Sequence, residues 1–115
     1  MIPSGVVAST GCARARLFLT DLVVAETVCV LESFYEAPRD QVALAVRSLL
    51  ALDSIVAIDP ALLLRAVEVY ETERIDFAES YPVACAESTD VSRIVSFDRS
   101  LDRVETVERI EPGAD

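Results

Sequence analysis

Ser54-Ile55-Val56-Ala57-Ile58-Asp59-Pro60-Ala61-Leu62-Leu63 is the stretch on which the reading of the fold turns. Ser54 to Ile58 is a short run rich in β-branched residues, the signature of a strand. Asp59-Pro60 then starts a helix, with Asp as the N-cap and Pro at the first helical position. Leu62, Leu63, Ala66, Val67 and Tyr70 follow at helical spacing and fall on one side of it. A strand that feeds directly into a helix is the repeating unit of an α/β chain.

The same alternation extends in both directions. Towards the N-terminus, Arg39 to Ala51 forms a helix with Val42, Leu44, Val46, Leu49 and Leu50 as its apolar face. Before it, Thr20 and Asp21 cap a helix that carries Leu22, Val23, Val24, Thr27, Val28, Val30, Leu31 and Phe34 and runs to about Glu36, stopping ahead of Pro38. Leu17 to Leu19 is a short apolar run suited to a buried strand. Towards the C-terminus, Asp76 can cap a helix running to about Glu87. Arg93 to Phe97 is a further strand, Arg99 to Leu101 a helical turn, and Val107 to Ile110 a last strand. Met1 to Arg16 is expected to be an irregular lead-in, residues 17–111 the single folded domain, and residues 112–115 a tail. The expected class is α/β with a mainly parallel sheet. In that architecture chemistry collects at the carboxyl ends of the strands, which makes Asp98 conspicuous.

The 115 residues include twenty acids and ten bases, a net charge of −10. All the bases are Arg; Lys and His are absent. A Ser-His-Asp or Cys-His catalytic site, a P-loop lysine and a histidine zinc site are therefore excluded. The acidity argues against broad electrostatic capture of nucleic acid. It leaves room for a nuclease, since metal sites for phosphate chemistry are built from carboxylates. Cys12, Cys29 and Cys85 match no metal or redox spacing and read as buried, reduced thiols of a cytoplasmic protein. No segment reads as a signal peptide or membrane span.

Three acidic features could carry chemistry, and each has a plainer reading. Glu26 sits among Val23, Val24, Val28 and Val30, where an acid must be paired or bound unless it lies on the solvated edge of the helix. Asp76 and Glu79 have the spacing of a capping box. Asp98 follows Ile94-Val95-Ser96-Phe97 and is either the N-cap of the next turn or a metal ligand that Ser96 steadies through its hydroxyl.

Taken together, the stretch from Phe18 through Glu26 and on to Tyr35, the motif Asp76-Phe77-Ala78-Glu79 and the motif Ser96-Phe97-Asp98 resemble the PIN-domain family, in particular the VapC-type toxins of bacterial toxin–antitoxin pairs. The resemblance spans about residues 17–111. It implies a PIN-like α/β/α sandwich and an endoribonuclease dependent on Mg²⁺ or Mn²⁺, with Glu26, Glu79 and Asp98 as catalytic and metal-binding residues and Asp76 and Ser96 as auxiliaries. It also implies RNA as substrate, a cognate antitoxin as partner and a homodimer built on the helices between Asp21 and Ala51. Hard cations suit such oxygen donors. Without one, two carboxylates about 4 Å apart repel by roughly 4 kcal/mol at an effective dielectric near 20.

Three departures predict impaired or absent catalysis. The family opens on a strand ending in Asp, whereas here the first acid is Asp21, so the first strand is expected to be missing. Glu79 stands where Asp is usual. Pro82 falls inside the helix that carries Glu79 and removes its bond to Ala78. The competing expectation is a non-catalytic module that binds an antitoxin or a second copy, or a truncated gene remnant.

Overall fold

The computed structural model describes residues 15–113. Most of the lead-in, Cys12 and the last two residues of the tail lie outside that range. The element order is β1 (Leu17–Phe18), α1 (Asp21–Ser33), α2 (Arg39–Leu50), β2 (Ile55–Val56), α3 (Pro60–Thr72), α4 (Phe77–Ser88), β3 (Arg93–Val95), a 3₁₀ turn (Arg99–Arg103) and β4 (Glu108–Ile110).

Helix starts follow the local chemistry. The Thr20 hydroxyl accepts from the Val23 N–H at 3.2 Å, and Asp59 Oδ1 accepts from the Leu62 N–H at 3.1 Å with Pro60 at the first position. Each bond satisfies a donor that the first helical turn would leave open. Helix α1 stops at Ser33, short of the expected Glu36. The chain leaves through Phe34 and Tyr35 to Glu36 at φ +54°, a left-handed conformation that a right-handed helix cannot continue. Arg74 (φ +58°) closes α3 in the same manner and turns the chain towards Asp76.

Strands β1 and β2 pair in parallel, Leu17 with Ile55 and Phe18 with Val56; β3 and β4 pair in parallel from Arg93–Glu108 to Val95–Ile110. The parallel sense is as expected. The expected single sheet is not: among the described residues there are two separate two-stranded sheets, β1-β2 and β3-β4. All four strands are also shorter than their apolar runs; β1, β2 and β3 stop short where the chain turns towards the next helix, and β4 begins one residue late, at Glu108.

Two apolar clusters hold these halves. The larger gathers Leu19, Val24, Val28, Val42, Val46, Leu63, Val67, Tyr70 and Phe77, with Ile55 against it. The smaller gathers Val69, Ile75, Val83, Leu101 and Val104, with Ile94 and Val107 against it. Helices α3 and α4 belong to both, since Tyr70 and Phe77 face one cluster and Val69 and Val83 the other. Burying each such side chain contributes about 1.5–3 kcal/mol, so these two helices are the element that joins the sheets. Arg65 on α3 reinforces the joint: its Nε and Nη2 reach the two oxygens of Glu87 on α4 at 2.6 and 2.9 Å.

Helix α1 buries only Val24 and Val28 fully. Leu22, Val23, Val30, Phe34 and Tyr35, read from the sequence as core-facing or helical, are exposed, and so is Leu44 on α2. The thiols also differ from expectation: Cys29 is exposed on α1 and Cys85 is half-buried, because neither lies on the stripe its helix turns inward.

Candidate active site

The carboxyl end of β3 meets the N-terminal turn of α4, and three predicted residues converge there. Ser96 continues β3, its N–H donating to the Ile110 carbonyl at 3.0 Å. Its hydroxyl accepts from the Asp98 N–H at 2.9 Å and donates to Glu79 Oε1 at 3.4 Å. Ser96 therefore holds Asp98 by its hydroxyl, and does so through the Asp98 backbone N–H. The hydroxyl is a hinge between the strand end and α4.

Asp98 is the N-cap of the 3₁₀ turn, with Oδ1 accepting from the Ser100 N–H at 2.9 Å. The Ser100 hydroxyl and N–H hold its carboxyl below the usual range, helped by the charges of Arg103 and Arg109. Capping and the proposed functional role coexist in this residue. Glu79 shifts the other way: burial first, then the charges of Asp98 and Asp76, push its carboxyl up, against the Ser96 hydrogen bond. Two carboxyls in one neighbourhood are thus separated by environment, one held ionised and one biased towards its proton.

The capping box does not form. Asp76 occupies the N-cap of α4 but makes no side-chain cap bond, and Glu79 turns to Ser96. The helix instead starts from the Asp76 carbonyl, which accepts from the Glu79 and Ser80 N–H groups, both at 2.9 Å. Asp76 acts on Glu79 only by its charge. Pro82 lies inside α4, which nonetheless runs on to Ser88.

Glu26 is exposed on α1 and is not among the charges that act on Glu79. Among the described residues no group of three or more His, Cys, Asp or Glu side chains is placed to hold one metal ion. The single pocket of Glu26, Glu79 and Asp98 is therefore not assembled by these residues. The structure brings Glu79, Asp98, Ser96 and the charge of Asp76 together, and Glu26 is exposed on α1. A divalent cation requires several oxygen ligands in fixed geometry. Among the described residues two carboxyls converge here, Glu79 and Asp98, fewer than the three that the resemblance implies for the ion.

Sequence reasoning missed three contributors. Arg109 on β4 donates from Nη1 to the Ser96 carbonyl at 3.2 Å and from Nε to Asp102 at 3.0 Å, bracing the strand end from behind. The Tyr81 hydroxyl donates to the Asp21 carboxylate, tying α4 to the start of α1. Arg39 donates from Nη1 to the carbonyls of Tyr70 and Ile75, both at 2.8 Å, and lies 4.4 Å over the Tyr70 ring. Only the residue types hinted at these pairs, because the partners lie from 7 to 60 residues apart. Arg103 donates to the carbonyls of Glu73 and Arg74 at the end of α3.

The raised Glu79 carboxyl has a pH signature. Below the ordinary carboxyl range both folded and unfolded chains hold the proton, and the shift contributes nothing. As pH rises through that range the unfolded chain releases its proton first, so the folded state loses relative stability until Glu79 also ionises. Glu79→Gln removes this loss. The variant is expected to melt above the wild type near neutral pH and together with it near about pH 3, which thermal melts across that range would check.

A family model described as PIN domain matches residues 7–107. No curated protein and no solved structure matches the chain.

Proposed function

The chain belongs to the PIN-domain family, whose fold is nuclease-like, and from that premise we propose that it is a VapC-like, toxin-type domain with impaired endoribonuclease chemistry. The observation that carries this reading is the Glu79–Ser96–Asp98 group at the carboxyl end of β3. It is half of an acidic site, placed where an α/β fold concentrates chemistry. Glu26 is the third acid that the family pattern assigns to such a site, and the first sixteen residues contain no acid to stand for the family's opening Asp. On this reading the fold is an α/β/α sandwich, to which the two parallel strand pairs belong.

In this proposal Asp98, held ionised, and Glu79, steadied by Ser96, are the groups that face a phosphodiester. Mg²⁺ or Mn²⁺ is the ion the family uses. Among the described residues this chain offers two carboxyls to it, so its hold on the ion is weak. The chain is read as acting in the cytoplasm; no described helix is long and apolar enough to cross a membrane.

The test is cleavage of a structured RNA by the purified protein in millimolar Mn²⁺, beside Asp98→Asn. The wild type is expected to cleave no more than about twofold faster than the variant. A difference of about a hundredfold, near 2.7 kcal/mol of barrier, would show that the site is complete and the proposal of impairment wrong.

A second reading is favoured by a specific surface. Leu22, Val23, Val30, Phe34 and Tyr35 on and after α1, with Leu44 on α2, are exposed apolar side chains in an otherwise acidic protein. Large apolar surfaces of this kind mark association sites. A module that docks an antitoxin or a second copy through α1 and α2 would retain that surface without catalysis.

A further inference from the structure

Exposure alternates residue by residue from Arg93 to Ser100. Arg93, Val95, Phe97 and Arg99 are exposed, while Ile94, Ser96, Asp98 and Ser100 are half-buried. A strand sends successive side chains to opposite faces, and β3 gives one face to the smaller cluster through Ile94. The exposed set is an aliphatic and an aromatic side chain with an arginine at each end. Val95 is 68% and Phe97 69% exposed, whereas Phe77 is 5% exposed. Phe97 therefore contributes little to the core.

The Phe97 ring stands on a fixed backbone. Before it, the Ser96 N–H donates to the Ile110 carbonyl at 3.0 Å and the Ser96 carbonyl accepts from Arg109 at 3.2 Å. After it, the Asp98 N–H donates to the Ser96 hydroxyl and Asp98 Oδ1 accepts from the Ser100 N–H, both at 2.9 Å. An aromatic side chain has only two torsions left to order on contact, so a ring held in this way loses little entropy when something packs on it. Arg99, the next exposed residue, forms no ion pair among the described residues. Arg93 pairs with Glu108 at 3.3 Å, but their side chains are 70% and 63% exposed. An ion pair that open to water is weak, and a phosphate can replace the carboxylate.

We propose that Arg93, Val95, Phe97 and Arg99 form a platform for an unpaired RNA strand, with a base stacked on Phe97, Val95 beside it and phosphates at the two arginines. The proposal rests on the nuclease-type reading above and names the side chains that hold its RNA. Aromatic rings set among cations take up single strands because every base has a face to stack. A paired helix keeps those faces stacked inside itself and offers none to Phe97. The net charge of −10 opposes capture over a wide surface. A platform with two arginines agrees with that charge, since stacking supplies most of its hold and neutralisation is local. Phe97 lies between Ser96 and Asp98 in the chain. A base on its ring therefore brings the adjoining phosphodiester to the Glu79–Ser96–Asp98 group.

The chain contains no Trp, so Phe97→Trp places a single fluorescent reporter on the platform. The test titrates this variant of the full chain with a short single-stranded oligouridine in excess chelator, and with the same strand annealed to oligoadenosine. The single strand is expected to quench the indole, and the duplex to leave it unchanged. With both arginines on phosphates, affinity should fall by roughly sevenfold between 50 and 200 mM salt, and by under about threefold once Arg99→Ala is added. Phe97→Ala, followed by anisotropy of a labelled strand, should bind at least about fivefold more weakly than the wild type. Absent quenching, or equal quenching by the duplex, would overturn the proposal. Indole emission that changes with protein concentration in the absence of RNA would overturn it too, by placing a second copy on the face. Chelator keeps binding separate from cleavage. Quenching in a protein that cleaves nothing in Mn²⁺ supports the platform without the chemistry, and cleavage without quenching removes the platform alone.

Discussion

Replacing Arg39 by Ala is expected to lower the unfolding midpoint by roughly 10–20 °C, a loss of about 3 kcal/mol in a domain of this size. One guanidinium nitrogen satisfies the carbonyls of both Tyr70 and Ile75, and the same group lies over the Tyr70 ring. Hydrogen bonds from a charged donor are worth about 1.5–3 kcal/mol and the ring contact about 0.5–1 kcal/mol. Truncation leaves two part-buried carbonyls without this donor at the bend between α3 and α4. Arg39→Lys, which keeps the charge and several donors, should recover part of the loss. The bend leads through Arg74 and Ile75 to Asp76 and Glu79, so the effect extends beyond stability. In Arg39→Ala the tie between Ser96 and Glu79 should loosen, and because that hydrogen bond opposes the upward shift, Glu79 should titrate further above the ordinary carboxyl range by carboxyl-carbon NMR. A melting shift of less than about 3 °C would place the bend's stability elsewhere.

Leu101→Ala is expected to cost ~2–5 kcal/mol and to act on one half of the molecule first. Leu101 is fully buried in the smaller cluster with Val69, Ile75, Val83 and Val104. A cluster of five buried residues has few neighbours able to fill the void. It is also the cluster against which Ile94 of β3 packs. Amides of β3 and β4 should therefore lose exchange protection before those of α1, α2 and the upper part of α3, as a separate opening unit. Asp98 would lose its place in the same event, since the 3₁₀ turn that it caps contains Leu101. Uniform loss of protection across both clusters would show instead that α3 and α4 couple the halves into one cooperative unit.

The readable and unreadable parts of this protein divide by range. Thr20 and Asp59-Pro60 were legible as helix starts because a cap joins residues three apart. The strand around Ile55 and Val56 was legible because β-branched residues bounded by turn signals need no distant partner to be recognised. The parallel sense followed from helices lying between strands. Asp76 and Glu79 had the spacing of a capping box, one of two readings open for them, and the box does not form because the Ser96 hydroxyl, seventeen residues on, draws Glu79 away. Cys29 and Leu22 were read as inward because apolar character says only that a side chain would gain from burial. Helix α1 turns just Val24 and Val28 fully inward. Nothing in the pattern indicated that Arg109 braces Ser96 or that Arg39 spans α3 and the bend after it.

From the sequence alone came the class of fold, the order of its helices and strands, the exclusion of histidine and lysine chemistry, and the placing of Asp98 beyond a strand end. All of these rest on residues within about a helical turn of one another or on simple composition. Which acids meet was decided only by tertiary structure. Two apolar clusters sharing α3 and α4 set Glu79 beside Ser96 and Asp98, and left Glu26 exposed on α1. Carboxyls acquire opposed proton affinities only when packing fixes their distance and burial, and those quantities belong to the assembled surfaces of helices rather than to any run of residues.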